Sequence, residues 1–255
     1  VGLAHVSGDV IATQAVANPD MREALLLLVF AYGGFEASVV AAGETRDPAR
    51  DTPWALVSAV AVVTIVYALV QLAVIGVLPF AAGSSTPIAE ALARVLGPAG
   101  STVATAGVVI SIYGWLTGFT LMMPRVLFAM AEKGDLPMPL AYVHPSWRTP
   151  VVAIAVNALL ALALSLSSTF TQAAVLAAIV RLVVFAASCG AMLRLRQLRP
   201  DAAPFRAPGG TLAGLAGIAF SGWLLSTRNL SQVWIVGVVV AAGALIRAWY
   251  HPRHV

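Results

Sequence analysis

Residues 23–44 read Glu-Ala-Leu-Leu-Leu-Leu-Val-Phe-Ala-Tyr-Gly-Gly-Phe-Glu-Ala-Ser-Val-Val-Ala-Ala-Gly-Glu, and the reading of this stretch decides the fold. At about 1.5 Å per residue a helix from Glu23 to Glu44 is roughly 31 Å long, close to the hydrocarbon thickness of a bilayer. Gly33 and Gly34 then fall near the midplane. Each glycine costs a helix about 1 kcal/mol relative to alanine, and an ionisable Glu36 adds a desolvation cost of a few kcal/mol. A simple anchor carries neither. The combination predicts a span interrupted at mid-membrane, whose freed carbonyls and amides line a cavity or a solute site. The competing reading is that the glycines admit a neighbouring helix and that Glu36 is paired structurally with an arginine or a hydroxyl.

Composition agrees with a membrane environment. Of the 255 residues, 60% are hydrophobic and 10% charged, and the mean hydropathy is +0.89. Soluble domains carry about 25% charged residues. The sequence pI of about 9.7 does not point to nucleic acid, because the arginines lie between apolar spans rather than in one basic face. The single cysteine, Cys189, excludes a disulfide framework and reads as a buried small hydrophobe.

Seven apolar spans follow from the hydropathy pattern: 23–43, 54–78, 101–124, 150–166, 172–193, 209–226 and 232–249. Residues 1–22 read as an extracellular segment ending in the helix-start signal Ala-Asn-Pro-Asp. Between the first two spans, two prolines and five charges mark a loop. A short amphipathic helix is expected at 87–96. The third helix is expected to run past Pro124 to Lys133 and stop at Gly134. Lys and Arg alternate strictly with the spans: eleven, from Arg46 to Arg253, fall on one side, and Arg22, Arg94 and Arg228 on the other. The first side is therefore the cytoplasm and the N-terminus lies outside. Arg181, deep in the fifth span, demands a partner, and Glu36 is the only acid clearly inside a span. The two are predicted to face one polar interior.

The run Phe30-Ala31-Tyr32-Gly33-Gly34-Phe35-Glu36, followed by Glu44-Thr45-Arg46-Asp47-Pro48-Ala49-Arg50-Asp51-Thr52-Pro53, resembles the sixth transmembrane helix and following loop of amino acid permeases of the amino acid–polyamine–organocation superfamily. A second block, Arg125 to Pro137 with Thr149-Pro150, is similar to the family's eighth helix end and loop. The resemblance implies an all-α integral membrane protein with seven transmembrane helices. These comprise the second inverted five-helix repeat of a LeuT-like fold (23–195) and two C-terminal helices (196–255). It implies secondary transport of an amino acid or related amine across the plasma membrane by alternating access, with proton or cation coupling, no cofactor and no enzymatic role. The family's first helix, which holds the substrate carboxylate, has no counterpart here, so an N-terminal half (helices one to five) is an implied partner.

By motif match, the substrate amino group is expected at carbonyls of Phe30, Ala31 and Gly33, with Tyr32 and Gly34 beside them. The alternative for the side chains of Phe30, Tyr32 and Phe35 is lipid or core packing. Candidates for proton or ion coupling are Glu36, Ser111, Thr117 and Arg181, and for an inner gate Glu44, Arg46 and Arg50, against the alternative of a solvated loop cluster. Ser111, Gly114 and Gly118 form a small-residue face expected to pack on the broken helix. Gly210 and Gly214 repeat that pattern, a hint of helix association or of a homodimer. Two rival readings are a transport-inactive truncated or split permease and a seven-helix receptor. A retinal protein is disfavoured because the one lysine, Lys133, lies at a loop. An intramembrane enzyme is disfavoured because there is no HExxH and no histidine near the cysteine in sequence.

Overall fold

The computed structural model describes residues 20–40, 45–78, 84–199, 206–228 and 230–250. All regular structure among them is helical, apart from turns: α1 Met21–Ala31, α2 Ala37–Val40, α3 Pro48–Val77, α4 Pro87–Leu96, α5 Pro98–Glu132, a 3-10 helix Met138–Ala141, α6 Val151–Ser167, α7 Phe170–Leu198, α8 Gly210–Ser226 and α9 Leu230–Tyr250. Three of them, α3, α5 and α7, are long and apolar enough to cross a membrane, and shorter apolar helices cover 151–167, 210–226 and 234–250. Their outward faces carry large exposed apolar side chains such as Val57, Ile65, Leu160, Leu212 and Trp234. Lipid or further apolar helices, not water, suit such surfaces.

The first expected span is two helices. Asp20 caps α1, accepting from the backbone N–H groups of Arg22 and Glu23 at 3.1 Å each. The helix ends at Ala31, residues 32–36 form turns, and α2 follows. Gly34 adopts φ +119°, a conformation that L side chains rarely reach and that ends the helical path.

Boundaries elsewhere shift for local reasons. The loop expected to reach Pro53 is helical from Pro48, with Asp47 accepting from the Arg50 and Asp51 N–H groups. Proline at the first helical position loses no bond, because that N–H has no partner in the helix. The fifth span is longer at both ends than 172–193. Thr169 and Gln172 close a capping box at its start, and the helix runs through Arg194 and Arg196. The stop after α5 falls as expected. Lys133 still bonds the Ala129 carbonyl, Gly134 takes φ +78°, and the Asp135 N–H reaches back to the Met130 carbonyl at 2.9 Å.

The chain divides into two compact units. In the unit holding residues 54–119, α4 lies on the end of α3 through Val74 and Ala91, and Arg94 donates to the Val77 carbonyl at 3.3 Å. The α5 start passes so close to α4 that a Cβ at Gly100 would strike the Leu92 carbonyl, so only glycine fits there. In the other unit, residues 20–53 and 120–250, α7 is the hub, packed against α1, α6, α8 and α9. Its core is Leu26 from α1, Val175, Ala178, Ile179 and Leu182 from α7, Leu224 from α8 and Val236 from α9. Gly210 and Gly214 face α7, where a Cβ would meet Arg196 and Met192, respectively. Their small-residue pair therefore joins two helices of one chain, the helix-association alternative of the sequence reading.

Candidate functional site

The break after α1 meets the middle of α7. A helix's last carbonyls have no partner within the helix, and in a membrane they must find one. Here the Phe30 carbonyl accepts from the Gly33 N–H at 3.0 Å and from Arg181 Nη1 at 3.3 Å, and the Val29 carbonyl lies 3.5 Å from the same nitrogen. The guanidinium also pairs with Glu36. Arg181 Nε donates to Glu36 Oε1 at 2.8 Å, with the two side chains 20% and 40% exposed. The Gly34 N–H donates to Glu36 Oε2 at 2.9 Å. Both carboxylate oxygens thus accept from N–H donors, which satisfies the acid and folds the break back over its own backbone. The predicted meeting of Arg181 and Glu36 is observed.

Gly33 is small for a definite reason. A Cβ built there would fall on the Arg181 guanidinium. Gly34 meets nothing and is glycine for its backbone angle. The Gly-Gly pair therefore has two separate functions, an opening for a guanidinium and a left-handed turn.

Beside the pair lies a cavity of about 1070 Å³, lined by Phe35 and Glu36 from the break, Leu164 and Ser168 at the α6–α7 turn, and Arg181 and Phe185 from α7. Phe35 stacks on Phe185 with ring centroids 5.8 Å apart, and Phe30 meets Phe170 edge-on at 6.1 Å. Both rings at the break are thus packed against aromatic partners from α7, as the packing alternative expects. The cavity wall is apolar apart from the Glu36–Arg181 pair, a few serines and Gln172. Neither Phe185 nor Ser188 appears among the sequence candidates. The signal was present, since Arg181, Phe185 and Ser188 follow at i, i+4 and i+7 and so share one face of α7.

Other candidates lie on α5, in the segment before α3 or in the first turn of α3. Ser111 and Thr117 are exposed on α5, in the other unit, and the Thr117 hydroxyl donates to the Tyr113 carbonyl at 2.8 Å within its own helix. A Cβ built at Gly114 or Gly118 meets nothing within 4 Å. Arg46 and Arg50 are exposed, with no ion pair to a described residue, in keeping with a solvated loop cluster, while Glu44 lies outside the described residues. Cys189 is half-buried at the α7–α8 contact, its sulfur 3.1 Å from where a Gly217 Cβ would lie. No group of three or more metal-ligating side chains occurs among the described residues.

A bundle of apolar helices, one of them interrupted beside a charged pair and a cavity, is the architecture of a membrane transporter. The amino acid permease family profile matches residues 8–247. This chain belongs to that family, within the amino acid–polyamine–organocation superfamily, whose members are transporters and not enzymes. It is similar to the serine/threonine exchanger SteT of Bacillus subtilis (strain 168), 33% identical over 162 residues, covering 61% of this chain and 36% of that protein. It is also similar to the branched-chain amino acid permease BcaP of the same organism, 33% identical over 241 residues, 91% of this chain and 50% of that one. The methylthioribose transporter of that organism is 28% identical over 228 residues, covering 88% of this chain and 49% of its own length. The chain thus spans about half the length, or less, of these curated relatives.

Proposed function

We propose that this chain is the C-terminal part of a secondary carrier that moves an amino acid or related amine across the plasma membrane by alternating access. In this reading its helices are seven transmembrane spans, with the N-terminus outside. Residues 23–195 form the second repeat of a LeuT-like fold, and residues 196–255 add two further helices. The observation that carries the reading is the break at residues 32–36, whose carbonyl end faces a charged partner beside a large cavity. A membrane tolerates such a break only where protein or a solute path satisfies the backbone. The names of the relatives supply the substrate class, since two of the three act on amino acids. The other half of the solute site belongs to an N-terminal partner region, and Glu36 and Arg181 take part in coupling or gating.

Uptake of radiolabelled amino acids into vesicles tests this, using the 255-residue chain alone and co-expressed with helices one to five of a relative. The expected result is saturable uptake in the co-expressed sample, reduced about tenfold or more by Glu36→Gln, since that change weakens the pair that holds the break. Uptake no greater than in empty vesicles under both conditions would favour the rival reading, a transport-inactive piece.

A further inference from the structure

The carbonyl end of α1 is already occupied. Val29 and Phe30 offer carbonyl oxygens, Glu36 offers a carboxylate, and the group held among them is the chain's own Arg181 guanidinium, with the room beside it left by Gly33. Half-helix C-terminal carbonyls carry partial negative charge and suit a cation. The cradle therefore has the chemistry to hold an ammonium or guanidinium, and a tethered one sits in it. Arg181 comes from α7, not from the broken segment, so it can leave the cradle by a side-chain rotation without unfolding the turn.

We propose that Arg181 is a tethered competitor for this cradle and a specificity-determining residue: a solute's ammonium binds by displacing the guanidinium. The inference rests on the carrier reading above. A zwitterion can make this exchange without net charge, giving its ammonium to the carbonyls and Glu36 and its carboxylate to the released guanidinium. A solute with a second, cationic side chain brings an uncompensated charge into a cavity whose walls are otherwise largely apolar, with Glu36 the one acid among its described lining residues. The substrate class it selects is therefore the neutral amino acids. When no solute is present, the guanidinium keeps the carbonyl end satisfied, as a membrane interior requires.

Titration calorimetry in lipid nanodiscs, on the chain co-expressed with helices one to five of a relative, tests the competition, with n-propylguanidinium, leucine and lysine as probes. A competitor that fills the site most of the time lowers apparent affinity by the fraction of time the site is open. Arg181→Ala is expected to bind n-propylguanidinium about tenfold or more tighter than wild type, and to shift the leucine-to-lysine preference about tenfold toward lysine. Equal n-propylguanidinium affinity in wild type and variant, within about twofold, overturns the proposal. Arg181→Ala/Glu36→Gln removes the acid left unpaired and serves where the single variant does not fold. It retains the carbonyls and is still expected to exceed wild type in n-propylguanidinium binding; parity with wild type again overturns the proposal. A gain for n-propylguanidinium with no amino acid bound by any variant keeps the tethered cation and removes the amino acid reading. Leucine binding that is equal in wild type and Arg181→Ala, without a gain for n-propylguanidinium, keeps the carrier and removes the competitor.

Discussion

Replacing Gly33 by alanine adds one methyl group where the Arg181 guanidinium lies. The turn backbone at residue 33 is fixed by the Gly33 N–H bond to the Phe30 carbonyl at 3.0 Å and by the Gly34 N–H bond to Glu36 at 2.9 Å. The side chain is therefore the part that yields, and the guanidinium leaves the Phe30 carbonyl and its pairing with Glu36. A hydrogen bond to a charged group is worth about 1.5–3 kcal/mol when buried. The ion pair here is partly exposed and counts for about 1 kcal/mol at most. The expected loss of stability is about 2–3 kcal/mol. Reversible unfolding in mixed micelles measures it, and a double-mutant cycle with Arg181→Ala isolates its cause. With the guanidinium gone, Gly33→Ala should cost less than about 0.5 kcal/mol, because the new methyl then has space. An equal cost in both backgrounds would show that Gly33 is required for its backbone, and the account of the site as an opening for Arg181 would fail.

Three further outcomes follow from the packing around α7. Gly214→Leu should cost about 1–3 kcal/mol in the same unfolding assay, because a Cβ there already meets Met192 Cε at 2.6 Å and a longer side chain drives α8 from α7. Leu26→Ala, at a position with 0% exposure, should cost about 2 kcal/mol. That is the low end of the range for core leucines, because lipid already solvates apolar atoms and only packing is lost. Thr169→Ala removes the capping box that starts α7 and should cost about 1 kcal/mol, with faster amide exchange confined to residues 170–173.

The residues that announced the site were those most expensive in a bilayer. Gly33, Gly34, Glu36 and Arg181 stand out from the sequence because an apolar solvent leaves few reasons to keep them. Helix ends with local chemical signals were similarly legible: the cap at Asp20, the stop at Gly134 and the amphipathic helix 87–96 all appear where the sequence places them. The helix α3 starts at Pro48, inside the expected loop, because charge and proline forbid membrane insertion but do not forbid a helix in its first turn.

By itself, the sequence determined an all-α chain for an apolar surrounding, with one span broken near residues 32–34 and two opposite charges needing each other. Periodicity, composition and desolvation cost are local quantities, written residue by residue. The tertiary structure alone decided that Arg181 also lies on the Phe30 carbonyl, that Gly33 makes room for it, and that Gly210 and Gly214 are used inside the chain. Each of these is a meeting between segments far apart in sequence. Which carbonyl a guanidinium reaches depends on how α1 and α8 seat on α7, and that is set by the combined packing around Leu26, Ile179, Leu182 and Leu224, not by any one stretch.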